Sequence, residues 1–240
     1  ALYGGFPAGG STFADRDHQT YTSTLDGNET SYQVVIGSGT DSTAILDGFT
    51  IRDGHYFGGS AGGAGIFNDA GSPTIANCTF VGNTSWTAAT GSAIANRNGS
   101  SPTITNCRFI ENQGRGTIAN IENSTPPITD CVFIGNFGEG QGGAILNLNS
   151  SPIVSNSHFE ENQATLGGAI YNEGSSPTLS HSTFLNNRGI QGGGAFYNDD
   201  SSPTIENCHF EGIAGSAAIH SAALDAVSGF EDNTANNCPG

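Results

Sequence analysis

Apolar positions along this chain recur in a sentence of about 25 residues. The segment "GGAIYNEGSSPTLSHSTFLNN" at 167–187 returns with edits as "GGAILNLNSSPIVSNSHFEEN" at 142–162 and "GGGAFYNDDSSPTIENCHFEG" at 192–212. Prolines at 73, 102, 126, 152, 177 and 203 and phenylalanines at 80, 109, 133, 159, 184 and 210 keep intervals of 24 to 29 residues. That period fits a leucine-rich repeat, a short helical repeat or one coil of a β-helix. No stretch places apolar residues at helical spacing, and Leu-x-x-Leu-x-Leu does not occur, so the β-helix remains. Each unit holds three short stretches of strand character separated by turn residues, as in "GAIYN", "SPTL" and "STFLN".

Stacked unit on unit, these stretches give files of constant chemical character. The first contributes Ile66, Ile94, Ile118, Ile145, Ile170 and Phe196, and the second Ile75, Ile104, Ile128, Val154, Leu179 and Ile205. The third contributes Cys78, Cys107, Cys131, Ser157, Ser182 and Cys208, followed two residues later by the phenylalanines. The step from Ile75 to Cys78 breaks the two-residue alternation of a continuous strand, so the chain must turn between them. The file at that turn is Asn77, Asn106, Asp130, Asn156, His181 and Asn207. Asn is the non-glycine residue that best tolerates a left-handed backbone, and stacked amides can bond from coil to coil. Asn83, Asn112, Asn136, Asn162 and Asn187 mark the end of another strand, and Asn68 through Asn198 the end of the third.

Three sides and three corners predict an all-β, right-handed parallel β-helix of about nine coils with three strands per coil, a rod roughly 40 Å long. The organisation expected is one domain over 1–240: divergent N-terminal coils at 1–57, regular repeats at 58–213 and an irregular C-terminal coil at 214–240. In the first part, "SYQVVIG" and "AILDGFTIRD" supply a coil with its corner at Asp47-Gly48 and Phe49 and Ile51 inward, and "LYGGF" with "TLDGN" one more. In the last, "GFEDN" puts Phe230 and Asn233 on the repeat pattern. With no obvious cap at either end, the stack is expected to offer strand edges for end-to-end assembly.

Charge narrows the partners. The chain has 22 acids against six cations, all arginine, for a net charge of −16. That surface repels nucleic acid, anionic membranes and polyuronates. No apolar run is long enough to span a bilayer, so this segment is not expected to insert into one, and the absence of a leader before Ala1 suggests a mature or excised segment.

Phe-x-x-Asn paired with Gly-Gly-Ala-[Ile/Leu/Val], as in "GGAI…FEEN" and "GGAI…FLNN", resembles the repeats of the chlamydial polymorphic outer-membrane proteins and of other bacterial surface β-helix proteins with the pectin-lyase-like fold. "LYGGFPAGGSTFADRD" is similar to the segment that begins many such proteins. The resemblance covers essentially the whole chain. It implies a secreted, cell-surface location and a structural or adhesive role, with polysaccharide lyases and glycoside hydrolases as relatives by fold.

The candidate chemistry is sparse. A lyase needs a base and a metal or arginine, and a hydrolase needs paired carboxylates. The best carboxylate cluster is Glu173 and Asp199, at the same place on adjacent coils, with Asp200 beside them. In register they would stand about 5 Å apart, near the spacing of a retaining glycosidase, and Glu173 with Asp199 is also the place where calcium would bind. His158 and His209 face outward two coils apart, too far for a shared metal, and the thiols read as buried apolar fillers. An outward file of Phe67, Leu146, Tyr171 and Tyr197 could stack on sugars or on another protein, unless the loops after the third strand fold over it. The expected function is therefore a non-enzymatic extracellular module needing no cofactor, with a protein, a glycan or its own copies as partner. The alternative is a carbohydrate-active enzyme or glycan-binding domain.

Overall fold

The computed structural model describes residues 1–10, 12–30, 32–58, 62–86, 91–215, 217–221 and 234–236. Short parallel strands stack into four sheets that run the length of the coil. The first sheet has eight strands from Val35–Ile36 to Ile219–Ser221, the second eight from Leu2–Tyr3 to Thr204–Glu206, and the third nine from Ser23–Asp26 to Thr234–Asn236. The sheets hold six to nine strands each, and the stack comes to about seven turns, somewhat fewer than the nine coils read from the repeats.

Three strands per coil is corrected. A fourth sheet of six strands, from His55–Tyr56 to Arg188–Gly192, follows the Asn83 file. Sequence alternation hides it because, beyond Tyr56 at its start, its inward file is Ser85, Gly114, Gly138, Ala164 and Gly189, too small to announce a buried face.

Register places like on like: Ile94 pairs with Ile66 and Ile118, and Phe109 with Phe80 and Phe133. The phenylalanine file is a continuous stack from Phe80 to Phe210, with centroids 4.6–5.0 Å apart and planes within 8° of parallel. Strand spacing is itself about 4.8 Å, so the sheet sets the stacking distance and each buried ring removes a large apolar area from water. Ile51, fully buried and in register with Phe80, continues this file toward the N-terminus, and Phe49 is half-buried against the core. At the other end Phe210 pairs with Ala235; Phe230 and Asn233, expected on the repeat pattern, lie outside the described residues.

The corners are backbone devices. Asn77, Asn106, Asp130, Asn156, His181 and Asn207 all sit at φ of 50–55°, as their turn required. The other two corners also use left-handed residues, and these precede or follow the asparagine files that mark them. Gly82, Glu111, Gly135, Glu161, Asn186 and Gly212 precede one, and Ala70, Asn98, Asn149, Gly174 and Asp200 follow the other by two. The asparagines themselves point inward and are fully buried. Each of Asn68, Asn96, Asn120, Asn147 and Asn172 donates its amide Nδ2 to Oδ1 of the next coil at 2.8–2.9 Å. In the Asn83 file the amides from Asn83 to Asn162 each donate both to the next Oδ1 and to the carbonyl of a residue one coil back, such as Phe80, and Asn187 donates to Phe159 O. The bonds these amides make from coil to coil offset most of the cost of burying them, and among the described residues Asn68 Oδ1 and Asn198 Nδ2, at the two ends of the file, are the buried amide atoms without a partner.

The repeated Gly-Gly is steric. Gly142, Gly167 and Gly193 have φ of 57–64°, and a Cβ on them would fall 2.0–2.3 Å from the carbonyl oxygens of Ile145, Ile170 and Phe196. The chain leaving the fourth sheet therefore crosses directly over the first, which decides what becomes of that sheet's outer face.

Candidate functional site

That crossing covers the outward file proposed for binding. Leu146 is fully buried and Tyr171 nearly so, in a second small core with Ala119 and Ile121, while Tyr197, Leu148 and Leu166 pack against it. Phe67 and Tyr197 are half-buried. The Tyr171 and Tyr197 rings do stack, 5.5 Å apart, as their register implied, and Gly192 lies against the Tyr197 ring. Phe67, Leu146, Tyr171 and Tyr197 are thus corrected from an open platform to a covered one. The covering loop was the alternative in the sequence, although Trp86, which follows the third strand, is exposed. Burial first, and then the charge of Glu173, pushes the Tyr171 phenol up to about 12; its hydroxyl lies 3.5 Å from Glu173 Oε2.

Glu173 and Asp199 are register partners on adjacent strands, as expected, at the rim of that core. Asp200 follows on a left-handed corner with φ of 46° and points into solvent. Among the described residues no group of three or more His, Cys, Asp or Glu is placed to hold a metal ion. Along the same corner Asp69 and Arg97 are neighbours, and Arg97 also pairs with Glu122 on the next coil at 3.0 Å. His158 and His209 each meet a glutamate of their own strand, Glu160 and Glu211, at 3.2 Å.

The thiols of Cys78, Cys107 and Cys131 are free and buried, and Cys208 is buried in the same file. Each donates to the carbonyl two residues back, at 3.1–3.3 Å, and the hydroxyls of Ser157 and Ser182 do the same at 2.9 Å. This is why thiol and hydroxyl alternate in one file. Burial pushes the Cys107 thiol well up, which keeps it protonated and unreactive. Cys238, considered for an intermolecular cross-link, lies outside the described residues.

One concave polar site escaped the sequence. A groove of about 420 Å³ runs along the corner between the second and third sheets, beneath the excursion that joins their first strands. His18 and Thr22 come from the excursion, Asn77, Asn106 and Asp130 from the corner file, and Arg108 from the outward file of the third sheet. The available signal was irregularity: Asp130 is the acid in a file of mostly amides, and Arg108 the arginine in a file otherwise holding Thr79, Val132, His158, Thr183 and His209. Sequence alone could not bring His18 above them.

The family model described as "Right handed beta helix region" matches residues 12–151 and 138–239. No curated protein matches the chain.

Proposed function

The chain belongs to the right-handed β-helix family, and from that scaffold we propose that it is a non-enzymatic structural or adhesive module working outside the cell without a cofactor. The observation that carries this reading is the commitment of the buried polar side chains. Asparagine amides are spent on the coil above or below, thiols and serine hydroxyls donate to their own strand, and the face of the first sheet that could have lined a cleft is covered. A catalytic centre introduces polar exceptions into such files, and among the described residues the polar side chains of the buried files keep to asparagine, hydroxyl and thiol.

Self-association through the stack's ends fits the same picture. At the N-terminal end Leu2 and Ile36 are exposed beside an apolar cavity of about 130 Å³ lined also by Val35, Leu46 and Ile75. A strand edge flanked by open apolar surface is a docking point for another strand. The alternative, a carbohydrate-active enzyme, has one observation on its side, the in-register carboxylates of Glu173 and Asp199.

The test joins negative-stain electron microscopy of the concentrated protein with product analysis on a panel of polysaccharides. Linear end-to-end assemblies and no turnover are expected. Turnover that disappears in Asp199→Ala would establish the enzyme instead, and monomers alone at high concentration would remove the assembly.

A further inference from the structure

The corner file has a fixed polarity that stops in the groove. Arg16 Nη2 holds Asp47 Oδ1 at 2.5 Å, and the same oxygen accepts from Asn77 Nδ2 at 2.9 Å. A carboxylate can only accept, so Asn77 must turn its Oδ1 toward the next coil, where Asn106 Nδ2 donates to it at 2.6 Å. Asn106 then offers Oδ1 to the coil that follows, and that coil presents Asp130. Among the described residues no protein donor reaches Asn106 Oδ1 or the Asp130 carboxylate, whereas Asp47 and Asn77 earlier in the file each accept from the next amide. Asn106 and Asp130 are both exposed at the groove.

Beside this pair stands Arg108, exposed and without an ion pair among the described residues. In a chain with 22 acids a cation left unpaired in a groove is a resource that the fold does not consume. The hydroxyls of Thr22, Thr50 and Thr79 complete the wall, opposite His18.

We propose that this groove is a binding site for a neutral polyhydroxy ligand, a non-ionic glycan, whose vicinal hydroxyls donate to Asp130 and Asn106 Oδ1 while Arg108 donates to its oxygens. The unmatched acceptors demand donors on the ligand, and Arg108 demands acceptors, so the ligand must carry both, as hydroxyl groups do. Arg108 and Asp130 cancel locally, which removes any preference for a charged ligand, and the chain's net charge of −16 opposes polyanions. The volume of about 420 Å³ lies within the roughly 300–1,000 Å³ of small-molecule sites. The inference rests on the reading of the protein as an adhesive module and names its partner class.

Two substitutions test it with residues that the chain itself uses in neighbouring coils. Asp130→Asn restores the donor and continues the amide file, and Arg108→Thr matches Thr79 and Thr183, so both variants keep their thermal midpoint. Lactose, maltose, cellobiose and chitobiose are titrated by NMR against the backbone and side-chain amides of Asn77 and Asn106, with digalacturonate and calcium chloride in parallel. At least one neutral disaccharide is expected to shift these signals with millimolar affinity, and each variant to weaken it at least tenfold, the effect of a lost charge-assisted hydrogen bond. No shift from any neutral sugar, equal binding by the variants, or preference for digalacturonate or calcium would each overturn the proposal. Assembly and turnover are measured separately and involve neither residue, so failure of the groove and failure of the module reading are distinguishable.

Discussion

Replacing Asn136 by alanine removes one rung from the buried amide file that lines the inside of the coil. Its Oδ1 accepts from the backbone N–H and from Nδ2 of Asn112, both at 3.0 Å, and its Nδ2 donates to Phe109 O at 3.0 Å and Asn162 Oδ1 at 2.9 Å. Two neighbours keep other partners: Asn112 Nδ2 still reaches Phe80 O, and Asn162 Oδ1 still accepts from the Asn136 N–H. The Asn112 N–H is left buried and unmatched. One orphaned donor at about 1–3 kcal/mol plus net losses of about 1 kcal/mol for each of the other three bonds gives a cost of about 4–6 kcal/mol. The control is Asn106→Ala on the exposed corner file, which loses one amide bond and strains a left-handed backbone at φ of 51° for about 1–2 kcal/mol. Urea unfolding followed by far-ultraviolet circular dichroism and by tyrosine fluorescence measures both. If Asn136→Ala proves no more costly than Asn106→Ala, the amide file does not hold the stack and the account of the buried polar files is wrong. The chain has already made one such change. Ile213 stands, buried, where the next asparagine would be, and Asn187, whose Nδ2 keeps the Phe159 carbonyl, ends the amide file there.

Two further outcomes follow from the files. Ser157→Cys should leave stability within about 1 kcal/mol of the parent, because a thiol there makes the same bond to the carbonyl two residues back; the four buried thiols should react with a thiol reagent only as the protein unfolds, and rapid native labelling of Cys107 would contradict its burial. The Tyr171 phenol, raised from about 10 to about 12, binds its proton more tightly folded than unfolded. Its stabilisation, at most about 3 kcal/mol, is therefore full below pH 10 and lost as pH rises through 12, and Tyr171→Phe should flatten that part of the stability profile.

What the sequence disclosed and what it hid divide along physical lines. The phenylalanine stack and the left-handed Asn77 corner were legible because one residue type answers one environment at every level, and repetition reveals the environment. The fourth sheet was not, because Gly114, Gly138 and Gly189 satisfy a buried backbone without an apolar side chain. The fate of Tyr171 was undecided because it depends on which face the chain crosses after Gly142 and Gly167, a matter of φ rather than hydropathy. The carboxylates Glu173 and Asp199 were placed side by side correctly, since register follows from the repeat. The groove was missed because its roof, at His18, lies outside the repeat altogether.

The direct test of in-register side-chain files holding the coils together is a double-mutant cycle across one rung, Asn120→Ala with Asn147→Ala, whose amides meet at 2.9 Å inside the coil. A favourable coupling of about 1–2 kcal/mol is predicted, the double variant being less damaged than the two single losses added together. Additivity within about 0.3 kcal/mol would mean that the two asparagines do not hold each other, and would contradict the account.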